Sequence, residues 1–231
     1  MQTQPHSSSK SQPRVSQIPA IIGQSPLYQR GGFVLLEKLL EPKNLAALQR
    51  EALTLGRNAQ ENKVLESDRN AFELNFGRGG SPARKCLSTQ GATVQDAFYH
   101  SSTLTHMLET LSGTTVKPTG SRGTFSYYAR EGDFLALHRD ILTCDLTLIT
   151  CLFDHTRGTS NQLGGMLRLY PSYNLKPLSS IPTQNLQNAV DLQLQIGQSL
   201  ALLGGIVPHE LLPTNPGQVR VVSVLCFEIN L

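Results

Sequence analysis

Two metal-binding side chain types stand one residue apart in this chain, His138 and Asp140, within the run DFLALHRD. On an extended strand alternate side chains share a face, so this spacing points an imidazole and a carboxylate the same way. A nitrogen and an oxygen donor on one face can hold a single metal ion, but two ligands do not complete a site. His209 is a third candidate, far downstream and just after the apolar run LALLGGIVP. Arg220 follows in the next β-prone run, flanked by Val219, Val221, Val222 and Val224. An unpaired charge in such surroundings is costly, so Arg220 needs an anionic partner. A planar guanidinium takes a carboxylate bidentately and keeps its charge, which suits a bound carboxylate ligand.

Other chemistry-bearing residues read as structural. His100 and His106 fall on an expected helix away from this pattern, and His155 falls in an expected strand-end loop. Cys86, Cys144, Cys151 and Cys226 form no CxxC pair and no disulfide-like spacing. Reduced thiols packed as small hydrophobes, in a cytoplasmic protein, are the expectation.

The elements that must position these groups change character along the chain. Residues 1–25 are rich in Gln, Ser and Pro and cannot offset their own ordering entropy, so they read as a disordered or loosely docked tail. Residues 26–231 read as a single domain. Within it FVLL is a first strand, and residues 43–55 form a helix behind Pro42, with Leu45, Leu48, Ala52 and Leu55 on one face. The polar stretch 56–91, which contains Asn75, Arg78 and Arg84, reads as a long connection of the kind that forms lids. A second helix is expected over 94–111, opened by a Thr93–Asp96 capping pair. Eight short β-prone runs broken by Gly, Pro and Asn follow, from TTVKP to QVRVVSVLCFEI, with 177–188 as a loop. The fold class is therefore mainly β with N-terminal helices (α+β), a barrel or sandwich behind a helical layer.

Composition narrows the function. The formal net charge of +3 is small and scattered, which argues against a nucleic-acid partner. No apolar run is long enough to span a bilayer, so no membrane role is expected. No feature of the chain sets an oligomeric state.

Two histidines and a carboxylate on one side of a metal leave positions open for other ligands, the facial arrangement of non-haem Fe(II) oxygenases. With His-x-Asp, a distal His and a strand-borne Arg in that order, residues 121–231 resemble the Fe(II)/2-oxoglutarate-dependent dioxygenases. The segments YYAREGDFLALHRD and GGMLRLYP look most like the prolyl-hydroxylase-like branch. The resemblance implies a double-stranded β-helix, or jelly-roll, core. It implies that His138, Asp140 and His209 bind Fe(II) and that Arg220 pairs with the far carboxylate of 2-oxoglutarate. Together with O2, that co-substrate would be consumed to succinate and CO2 as a substrate C–H bond is oxidised. Tyr128 and Thr147 stand near family positions that touch the co-substrate, with Tyr127 a competitor for the role of Tyr128. Many members carry Ser two residues after the Arg; this chain has Val222 there. Asp140 fills the position that related halogenases leave to Gly or Ala, which favours hydroxylation. Cys226 stands where related nucleic-acid demethylases carry a second Arg. Arg122 and Arg168 are weaker candidates for a substrate carboxylate.

The leading expectation is an enzyme that hydroxylates a small molecule, such as an amino acid or a biosynthetic intermediate. The alternatives are a hydroxylase of protein or peptide side chains, and a non-catalytic cupin-like metal or ligand binder. The last would leave Arg220 and its spacing unexplained.

Overall fold

In the computed structural model the described residues are 23–69, 78, 80–120, 122–155, 164–182, 186 and 188–229. Helix α1 (Pro26–Gln29) and strand β1 (Phe33–Leu36) precede α2 (Pro42–Gly56). Pro42 sits in the first turn of α2, where its missing N–H costs nothing. Strands β2 (Gln60–Val64) and β3 (Arg84–Gln90) follow, then α3 (Thr93–Tyr99) and α4 (Ser102–Ser112). The remainder is β: β4 (Val116–Pro118), β5 (Thr124–Tyr128), β6 (Phe134–His138), β7 (Leu146–His155), β8 (Leu167–Leu169), β9 (Val190–Leu192), β10 (Ser199–Leu202), β11 (His209–Leu211) and β12 (Val219–Ile229).

All pairings are antiparallel, and the strand order is β1-β10-β7-β12-β5-β3-β6-β11-β8-β9, with β2 on β3 and β4 on β12. The sheet curls over on itself. Strands β6 and β7 lie far apart in that order, yet the Thr147 hydroxyl at the start of β7 donates to Asp140 just after β6. This closure is the jelly-roll core.

The two faces of the large sheet carry different work. Phe125, Tyr127, Leu152 and Val221 point outward and pack under Leu48 and Ala52 of α2. Alternation along the same strands therefore sends Tyr128, Arg220 and Val222 inward. There Tyr128 and Val222 pack with Cys86, Leu135 and Leu211, which joins the large sheet to the strands that carry the histidines.

Three expectations require correction. The 56–91 stretch is not one irregular connection: β2 and β3 pair within it, and β3 is inserted between β5 and β6. Polar sequences such as QENKV hide an edge strand because most of its side chains face water. Residues 70–77, Asn75 included, lie outside the described residues, as do residues 1–22 of the expected tail. The helix expected over 94–111 is two helices, because Ser101 caps α4 by accepting from the Leu104 N–H. No Thr93 cap forms on α3. The Glu51 carboxylate of α2 instead accepts from the amides of Ala92, Val94 and Gln95, at 3.2, 2.7 and 2.9 Å. The cysteines also differ from expectation. Cys144 and Cys226 are joined in a disulfide, while Cys86 and Cys151 are free and buried. Spacing did not suggest the bond because its partners are distant in sequence and meet only when β12 pairs beside β7.

Candidate metal centre

His138 ends β6 and His209 begins β11, and the two face each other directly in the antiparallel register. Their ring centroids are 4.3 Å apart. Asp140 completes the group: its Oδ1 lies 3.6 Å from His138 Nε2 and 3.8 Å from His209 Nε2. One ligand atom from each of the three lies within 4.8 Å of the others.

The backbone sets which imidazole nitrogen is available. His138 Nδ1 is 2.9 Å from the carbonyl of Ala136, and His209 Nδ1 is 2.9 Å from that of Val207. A carbonyl only accepts, so each Nδ1 donates and each Nε2 keeps its lone pair toward Asp140. This is the tautomer a metal ligand needs, oriented by an outer hydrogen bond.

Electrostatics agree. Burial disfavours the charged form of His209, the neighbouring His138 adds to this, and its pKa is pushed down to about 4, so the ring is neutral at pH 7. Burial alone would raise the Asp140 carboxyl. The positive charge that His209 takes up at low pH and the Thr147 hydrogen bond outweigh it and hold the group well below the usual carboxylate range. The site thus presents an anionic oxygen and neutral imidazole nitrogen, and among the described residues no lysine or arginine is bound to them. Such a donor set suits a divalent transition metal.

Asp140 is held from several sides. Its amide donates to the Gly204 carbonyl at 2.9 Å. Its own carbonyl accepts from Arg78 Nε at 3.1 Å. Arg78 also reaches the carbonyls of Ile141 and Cys144 and pairs with Asp145 at 3.0 Å. A side chain on Gly204 would have no room, since a Cβ there would fall 1.8 Å from Asp140 Oδ2. Arg139, between the two ligands, is buried and donates to the carbonyls of Ile206, Tyr173 and Lys176, tying the β10–β11 connection to the site.

Arg220 is 1% exposed on the inner face of β12, opposite Tyr128 in the register. Among the described residues it makes one hydrogen bond, from Nη1 to Asp154 Oδ2 at 3.3 Å, and its buried Nε has no partner. Asp154 is itself shared with Gln193 and Gln218. Burial pushes the Tyr128 phenol well above its ordinary range, so it stays protonated as a donor, with Arg220 among the charges it senses.

The remaining expected residues are distributed as follows. Thr147 turns its hydroxyl to Asp140. Tyr127 points outward and donates to the Ala52 carbonyl at 2.7 Å, leaving Tyr128 on the inner face. Arg168 is held bidentately by Asp191, at 2.6 and 2.8 Å. Its cross-strand partner on β11 is Glu210, so it stands on the face opposite His209. Arg122 reaches the Gly91 carbonyl and Asp96, at the start of α3. Sequence reading missed Arg78 as a clamp, Asp154 as the partner of Arg220, and the steric role of Gly204. The Gly204–Gly205 pair ahead of His209 was the visible signal for the last.

No family model matches the chain, and no curated protein matches it in sequence. Solved structures do resemble it. A prolyl-4-hydroxylase from Pseudomonas putida aligns over 92% of this chain and 99% of its own, with 17% identity and a TM-score of 0.56. The two share a jelly-roll fold. The 2-oxoglutarate-dependent epimerase SnoN of nogalamycin biosynthesis aligns over 93% of this chain and 81% of its own. That likeness has 13% identity and a TM-score of 0.64. A prolyl hydroxylase from Trichoplax adhaerens, solved with a peptide fragment of hypoxia-inducible factor, aligns over 93% and 90%, with 15% identity and a TM-score of 0.56. Among the described residues no helix is long and apolar enough to cross a membrane.

Proposed function

We propose that this chain is an Fe(II)- and 2-oxoglutarate-dependent oxygenase that hydroxylates a C–H bond of a small molecule. The observation that carries the reading is the convergence of His138, Asp140 and His209, with both Nδ1 atoms bonded away and both Nε2 atoms turned to one carboxylate. A ferrous ion held there would activate O2 together with 2-oxoglutarate, giving succinate and CO2. The protein's own contribution is placement. Three ligands on one side leave the opposite side open. Arg220, with its unbonded Nε, offers the far carboxylate of the co-substrate a charge-assisted partner in a dry setting. Tyr128, held protonated and opposite it in the strand register, would donate a second hydrogen bond.

The small-molecule reading draws on the likeness to SnoN, an enzyme of nogalamycin biosynthesis. The peptide reading draws on the prolyl hydroxylases, one of them solved with a peptide. Succinate release measured with Fe(II), 2-oxoglutarate and O2 against free amino acids, small metabolites and peptides separates the two. Turnover stimulated only by peptides overturns the small-molecule assignment. Arg220→Ala is expected to weaken 2-oxoglutarate binding about 30-fold or more, the loss of a buried charge pair worth about 2–5 kcal/mol. Unchanged affinity would assign the anchoring cation elsewhere.

A further inference from the structure

The Cys144–Cys226 disulfide has no place in the chemistry above, yet it lies against it. Cys144 Sγ is 3.3 Å from Thr147 Oγ1, and that hydroxyl donates to Asp140 Oδ2. The bond staples the turn that follows Asp140 to β12, the strand that also carries Arg220. We propose that this disulfide is a redox control on the metal centre: oxidised, it holds Thr147 where it orients Asp140, and reduction weakens metal binding. This rests on the metal-site reading given above.

The physical reason is displacement in a space with no slack. Two thiols cannot stay at bonding distance, so reduction moves the sulfurs apart. The Cys226 backbone is fixed. Its carbonyl accepts from the Tyr99 hydroxyl and from the amide and hydroxyl of Thr119, and its strand is paired on both sides. Cys144 is fully buried and in contact with Thr147, so the share of the movement on its side has no free space to take it up. A shift there reaches the hydroxyl that aims the carboxylate ligand. Outer hydrogen bonds of this kind set metal affinity by 10- to 100-fold. The reaction is a thiol–disulfide exchange. A dithiol reductant gives two electrons and two protons, the Cys144–Cys226 bond breaks to two thiols, and the reductant closes its own disulfide.

The test is an anaerobic titration of the full chain with Co(II), read by its visible absorption, before and after a trialkylphosphine. The phosphine reduces the bond, takes oxygen from water to become its oxide, and adds no thiol to compete for the metal. We expect affinity to fall at least 10-fold on reduction and to return on re-oxidation with oxidised glutathione. Cys144→Ser with Cys226→Ser should bind like reduced wild type whether or not phosphine is present. Thr147→Val in the oxidised protein should show the same loss and no response to phosphine, and Thr147→Ser should restore both. Thermal melting checks that each variant is folded. Equal affinity in the two redox states overturns the proposal, as does tight, wild-type-like binding by the double serine variant. Free, alkylatable thiols at both positions in air-equilibrated protein overturn it too. Failure of either redox form to bind Co(II) would instead remove the metal-site reading, and this inference with it.

Discussion

Gly204→Ala tests the centre through a residue that is not a ligand. An added Cβ would fall 1.8 Å from Asp140 Oδ2 and 2.7 Å from Thr147 Oγ1. Contacts under 3.0 Å are not sustained, so the carboxylate must retreat by about 1.2 Å or rotate away from the histidines. The Gly204 backbone cannot yield easily, because its carbonyl is bonded to the Asp140 amide and its amide to the Leu202 carbonyl. Gly204 does not occupy the left-handed region, so alanine brings no backbone strain of its own. The damage is confined to the ligand geometry. A carboxylate displaced from the metal by more than 1 Å should cost at least the upper end of outer-residue effects, about 100-fold in affinity, or about 2.8 kcal/mol. Anaerobic titration with Mn(II) or Co(II), set beside a thermal melt, measures both sides of the prediction. The melt should change little while metal affinity collapses. Wild-type affinity in Gly204→Ala would mean that Asp140 does not bind metal in the conformation seen here, and the argument for the centre would fail.

Asp133 is fully buried, and its carboxylate accepts from the amides of Ala129 and Arg130 and from Arg130 Nε. Asp133→Ala strands those donors and should cost about 2–4 kcal/mol, measured by urea unfolding. Glu51→Ala removes the remote cap on α3 and should cost about 1–2 kcal/mol, with faster amide exchange at Val94 and Gln95 as the local signature. In the native protein at pH 8 a thiol reagent should label no cysteine, because burial pushes both free thiols, Cys86 and Cys151, up to about 11. Unfolding should expose these two, and reduction should add Cys144 and Cys226. The metal-free protein should lose stability as pH falls from about 6.5 toward 4. The unfolded state takes up a proton at His209 in that window and the folded state does not, so the urea midpoint drops.

Much of the centre was legible because its chemistry depends on local spacing. His138 and Asp140 flank a single residue, and the β register needs nothing more to bring His209 opposite. Arg220 announced itself as a charge inside a run of valines. What could not be read depends on contacts between distant segments. The partner of Arg220 in this structure is Asp154, at the far end of β7, and only the β7–β12 register brings the two together. Arg78 stood in a polar stretch that looked like solvated loop, yet it is 2% exposed and satisfies three carbonyls in the turn after Asp140. Thr147 was expected at the co-substrate from its position in the pattern, and its hydroxyl instead serves the carboxylate ligand. A sequence pattern fixes which face a residue occupies, but not which of two polar neighbours its one proton goes to.

That distinction explains why the inner face of β12 and its neighbours hold so many polar groups in a buried setting. The charged groups nearest the three ligands have stated partners. Asp140 is answered by Thr147 and the Gly204 carbonyl holds its amide; Asp145 is answered by Arg78 and by the Ile229 amide. Arg220 has a single bond, at 3.3 Å, and a bare Nε. Native interiors seldom leave a guanidinium nitrogen unpaired, because the desolvation cost is not recovered elsewhere. A fold that satisfies the other charges around the centre so fully, yet leaves its most buried cation under-bonded beside a protonated tyrosine, is arranged for an anion that arrives from outside the chain. The dicarboxylate co-substrate of the proposed reaction has the charge for it.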